Sequence, residues 1–121
     1  MESILNTIKK MLGVETDYKE FDIDIITHIN SVFLSLNQLH VGPTIVFSII
    51  GETETWEDFL STSVDLNAIK SYIYLQVRML FDPPSSSFVL QSMQNQINMW
   101  EFRLNIQAEG TLYVPVDEGV V

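Results

Sequence analysis

Apolar residues recur along this chain at three- and four-residue steps, separated by short polar stretches, and that rhythm predicts helices rather than strands. Ile4, Leu5, Ile8, Met11 and Leu12 share one helical face, so a first helix is expected from Glu2 to Leu12. Ser3 suits its N-cap, Lys9 and Lys10 lie near the negative end of its dipole, and Gly13 offers a left-handed stop. Residues 14–20 are polar and acidic and read as a loop. A second helix is expected from Asp22, as its cap, to Leu39, with Ile26, Ile29, Phe33, Leu36 and Leu39 on its stripe. Ile25 and Val32 widen that stripe, which predicts a largely buried helix ended by Val41-Gly42-Pro43.

Thr44 to Ile50 is rich in β-branched and aromatic residues and reads as a short strand or an extended apolar segment on the core. The following stretch to Leu60 is an acidic loop with a short helix pinned by Trp56. A third long helix is expected to start after Asp65, a good cap, and to run to about Phe81. Its two adjoining stripes, Leu66, Ile69, Ile73, Val77 and Leu80 beside Tyr72, Leu75 and Met79, make it a central element. Asp82-Pro83-Pro84 terminates it, because proline lacks the amide proton and biases its predecessor away from helix.

Ser85, Ser86 and Ser87 supply capping hydroxyls for a last helix reaching about Ala108, with Val89, Met93, Ile97, Trp100 and Leu104 as its stripe. Gln91, Gln94, Asn95 and Asn98 line its outer face, as a solvated surface or as a contact with a neighbouring subunit. From Glu109 onward helix signals stop and the apolar run Thr111 to Val116 reads as extended. The expected fold is therefore mainly α: a small four-helix bundle with a short extended apolar segment and an extended C-terminal tail. It divides into a helical domain over 1–108 and a docking tail over 109–121. Such a tail orders by lying on a partner, for example as an added strand, which makes Leu112, Tyr113, Val114, Pro115 and Val116 the candidate partner-binding residues.

Composition narrows the function. At 121 residues, 46% hydrophobic against 18% charged, the chain can bury a core of its own. Sixteen acids face six Lys or Arg, a net charge of −10, which argues against gripping phosphates. The acidity reads as solubility, or as a surface past which DNA slides without sticking. Without cysteine, disulfides and thiolate metal sites are excluded, and a reducing compartment is the easier reading. No apolar run is long enough for a membrane span and the start does not resemble a signal peptide, so a cytosolic product without membrane partners is expected.

No catalytic constellation emerges. Asp24 and His28, four apart, with Asp22 nearby, offer a metal pair without a third ligand, and a surface i,i+4 pair is the plainer reading. Glu52, Glu54, Glu57 and Asp58 lack the spacing of a calcium loop. The five glycines are isolated, so there is no phosphate loop, and the serine triplet has no histidine partner. Trp100 and Phe102 beside Arg103 lack the basic surround of a nucleic-acid face. No cofactor is expected, and the residues describe a protein-binding domain, not an enzyme.

The run Ile73-Tyr-Leu-Gln-Val-Arg-Met-Leu-Phe-Asp-Pro-Pro-Ser-Ser-Ser87, followed by a long helix carrying Trp100-Glu-Phe-Arg-Leu-Asn105, resembles small neck proteins of tailed phages of low-GC Gram-positive bacteria. So do Ile8-Lys-Lys-Met-Leu-Gly13, Asp24-Ile-Ile-Thr-His-Ile-Asn-Ser-Val-Phe33 and Leu39-His-Val-Gly-Pro43, in that order. The family is that of the head–tail connectors, also called adaptors or head-completion proteins, and the likeness covers nearly the whole chain. It implies a helical bundle in the virion neck, assembled as a homo-oligomeric ring, commonly dodecameric, under the portal protein. That ring would extend the DNA channel, let DNA pass without specific binding, and receive the next neck or tail-completion protein. It also implies that residues 112–116 anchor on the portal or a neighbouring subunit. The competing expectation is a small acidic DNA mimic that inhibits a host DNA-binding protein.

Overall fold

The computed structural model describes residues 2–60 and 65–112, the last four by backbone alone. Five helices follow one another: α1 (Ile4–Leu12), α2 (Asp22–Gln38), α3 (Trp56–Phe59), α4 (Leu66–Phe81) and α5 (Ser87–Leu112). The four long ones form the expected bundle. α4 is its centre, packing on α1, α2 and α5, as its double apolar stripe requires. Ile69, Tyr72, Ile73 and Val77 are fully buried, facing Ile25, Ile29, Phe33 and Leu36 of α2 within one core.

Local chemistry sets the helix ends. The Ser3 hydroxyl accepts from the Asn6 amide at 3.2 Å, and the Asp65 carboxylate accepts from Asn67 at 3.0 Å. Gly13 closes α1 at φ 81°, with Val14 N–H donating to the Lys9 carbonyl at 2.8 Å. α2 ends differently from expectation. His40, not glycine, takes the left-handed position at φ 65°, while Val41 N–H reaches the Leu36 carbonyl at 2.9 Å and buries its side chain. Gly42 follows at φ 93°, and any Cβ there would strike the Phe59 ring.

Asp22 does not cap α2. Phe21 holds the N-cap position without a side-chain bond, and the Asp22 carboxylate instead meets Lys9 at 2.7 Å. Lys9 is therefore not a solvated charge near the end of α1. Its side chain is fully buried, and its ammonium also donates to the carbonyls of Thr16 at 3.1 Å and Tyr18 at 2.6 Å. Three oxygens for three protons satisfy the charge, and they fold the 14–21 loop back onto α1.

No strand is present among the described residues; Ser3 and Thr55 make an isolated bridge. Thr44 to Ile50 is the extended segment. Asn30 of α2 accepts from the Ile49 amide at 2.8 Å and donates to its carbonyl at 2.9 Å, so a side chain supplies the bonding that a partner strand would. Phe47 joins Phe33 and Phe59 in an aromatic trio with centroids 4.7–5.4 Å apart. Trp56 begins α3 and pins it, with its indole N–H donating to the buried Thr7 hydroxyl at 3.0 Å.

α5 continues four residues past the expected end at Ala108, so the segment from Glu109 to Leu112 is helical rather than extended. Its inner stripe is Met93, Ile97, Leu104 and Ala108, all buried. Val89 and, on α4, Leu80 belong to apolar stripes yet are exposed, each near a helix end.

Candidate functional site

The sequence chemistry for binding lies on surfaces, not in a closed pocket. On α5, Phe88, Met99, Phe102 and Ile106 fall on one line at 100° per residue, opposite the buried stripe. All four are exposed, Phe88 at 81% and Phe102 at 67%. Between Ser87 and Ala108 this helix carries only two charges, Glu101 and Arg103. Glu101 accepts from the buried Tyr72 hydroxyl at 2.8 Å, which fastens α5 to α4. Burial, reinforced by that carboxylate, raises the Tyr72 phenol above its ordinary value. Arg103 lies over the Trp100 ring at 5.7 Å and has no carboxylate partner among the described residues. The outer amides pair along the helix, Gln91 with Asn95 and Gln94 with Asn98, each at 3.1 Å. A solvated helix of this length ordinarily carries many more charges.

A second surface is a cleft of about 560 Å³ where the end of α1, the start of α2 and the end of α4 converge. Leu12, Val14, Phe21, Leu80 and Phe81 form its apolar wall, while Asp24, His28 and Asp82 form its polar rim. Phe21 stands edge-on between Tyr18 and Phe81, with centroids 5.5 and 5.3 Å away. The Asp24–His28 pair thus belongs to this rim, and Asp22 is turned away to Lys9. Among the described residues no group of three or more His, Asp or Glu gathers as a metal site. The third surface is the 43–50 loop. Asn37 donates to the carbonyls of Pro43 and Thr44 at 3.2 and 3.1 Å, and the Asn30 clamp holds the other end. Ile45 between these clamps and Ile50 just past the second are 83% and 87% exposed.

Many acids serve the fold. Glu54 accepts from the amides of Ile50 and Gly51, Asp58 from Thr55, and Glu52 from Asn6 and Lys19. The Asn6 amide and then the Lys19 ammonium hold the Glu52 carboxyl below its usual range, and Lys70 does the same for Glu2. Glu54 and Asp58 are thus tied into their own turn and Glu52 to α1 and the 14–21 loop, which is not what a mimic of DNA phosphates needs.

Of the predicted partner-binding residues, Leu112 is the last residue of α5, and Tyr113, Val114, Pro115 and Val116 lie outside the described residues. The cleft was not foreseen, although Phe21 and Leu80, apolar at helix ends, were its visible signal. No helix among the described residues is long and apolar enough to cross a membrane. The model of a family described as phage connector protein matches residues 4–111. No curated protein and no solved structure matches the chain.

Proposed function

The chain belongs to the phage connector protein family, and from that membership we propose that it forms a homo-oligomeric ring beneath the portal, extending the DNA channel and joining head to tail. Membership carries a structural role in the virion at the head–tail junction, in association with other head or tail components. The finer reading rests on one observation in particular. α5 presents an exposed apolar line with a single unpaired charge, a surface suited to burial against protein. The net charge of −10 suits a lumen that repels DNA rather than holding it.

In this reading Leu112, at the end of α5, and Tyr113, Val114, Pro115 and Val116 after it anchor on the portal or on the neighbouring subunit. The next neck or tail-completion protein binds the opposite side of the ring. Sedimentation of the full chain, alone and with a purified portal ring, tests the assembly. A ring, free or portal-bound, is expected; a monomer in both conditions would sink the proposal. Removing residues 113–121 should leave the helical circular dichroism unchanged while abolishing portal binding. Unaltered binding by the truncated chain would exclude the tail as the anchor.

A further inference from the structure

Two of the surfaces described above complement each other in shape of chemistry and in charge. The exposed line of α5 offers Met99, Phe102 and Ile106, with Arg103 as the one cation beside them. The cleft offers an apolar wall built around Phe21, Leu80 and Phe81, rimmed by Asp24 and Asp82, whose carboxylates make no ion pair among the described residues, Arg78 donating to the Asp82 backbone carbonyl instead. A chain with a net charge of −10 repels its own copies, so close approach needs a local match of opposite charge. Arg103 against Asp24 and Asp82 is such a match.

The two surfaces also lie at different places in the fold. Glu101, next to Phe102, contacts Tyr72 near the start of α4, whereas Leu80 and Asp82 mark its end. Eight residues of helix, about 12 Å, separate those levels. Two separate patches that fit each other allow a head-to-tail contact, which propagates from copy to copy and closes as a ring when the rotation allows; the ring reading selects it over a reciprocal two-fold pairing.

Resting on the ring reading, we propose that the outer face of α5 in one copy, from Met99 to Ile106, seats in the α1–α2–α4 cleft of the next, with Arg103 between Asp24 and Asp82. Both sides are exposed in the single chain, so neither needs rearrangement before docking. The occupant of the cleft is a second copy of this chain.

Charge reversal tests the pairing. Arg103→Glu and the double change Asp24→Arg with Asp82→Arg alter exposed side chains only, and circular dichroism should match the unmodified chain for each. Each variant alone should assemble at least about tenfold more weakly, read by sedimentation and native mass spectrometry with and without the portal ring. All three changes in one chain should restore assembly. Mixing the two separate variants should also restore assembly, in alternating order, because both junctions between unlike copies pair opposite charges while junctions between like copies repel. If the unmodified chain assembles while the reversals leave assembly unchanged, or the combined chain fails to recover, this interface is wrong and the ring reading stands. A chain that remains monomeric alone and with the portal overturns both.

Discussion

The corner where α1 meets α2 and the outer face of α5 handle polar groups in opposite ways. At the corner a fully buried ammonium, that of Lys9, is satisfied by two carbonyls and a carboxylate. A buried indole donates to a buried hydroxyl nearby. Along α5 the exposed face is apolar or amide, and its one cation has no carboxylate partner among the described residues. The first arrangement makes one fold costly to leave, since every buried polar group would lose its partner at once. The second contributes little to that fold and leaves surface free for another molecule. The groups that hold the fold and the surface proposed for binding thus lie in different parts of a small bundle.

Breaking the corner should have the largest effect on folding. Lys9→Met removes the buried charge and strands the carbonyls of Thr16 and Tyr18 and the Asp22 carboxylate. A loss of about 3 kcal/mol is expected in urea unfolding. The two faces of α5 sharpen the contrast within one helix. Leu104→Ala, at a fully buried site, should cost about 3 kcal/mol through the cavity it leaves. Phe102→Ala, three-fifths of a turn away and exposed, should change stability by less than about 0.5 kcal/mol yet weaken assembly. A large loss of stability from Phe102→Ala would contradict the division.

Smaller effects follow from the helix ends and from pH. Gly13→Ala places a Cβ at φ 81° with open space around it, so the cost is conformational, about 1 kcal/mol by thermal or urea melts. Acid and alkali should act on different seams. The Glu2 and Glu52 carboxyls are held below their ordinary value of 4.5 by contacts that include Lys70 and Lys19, respectively. Their contribution is present above that value and is lost as pH falls through the depressed folded value, loosening the α1 side. Tyr72 is shifted the other way. Its phenol ionises near 10.0 when unfolded and resists ionisation when buried against Glu101, so stability should decline as pH rises past 10.0. Tyr72→Phe should remove that alkaline decline; its persistence would place the cause elsewhere.

Sequence alone determined the helical architecture, because a helix that must bury one side writes its period into the chain. The double stripe of α4 named the central element, and Ser3, Gly13 and Asp65 marked their helix ends through local bonds that need no distant partner. The empty catalytic inventory pointed to a binding domain, the resemblance of the ordered segments pointed to a phage connector, and the match over 4–111 agrees with the latter. What tertiary structure decided were the matters that depend on residues far apart. Lys9 is buried only because the 14–21 loop returns over it, and Asp22 serves that lysine instead of capping α2. The 44–50 run is no strand because Asn30, from a helix, takes the bonds of Ile49. Leu80 joins the cleft rather than the core because the ends of α1, α2 and α4 converge there without closing over it. Periodicity records which side of a helix is apolar; only the packed chain settles whether that side meets the core or is left for a partner.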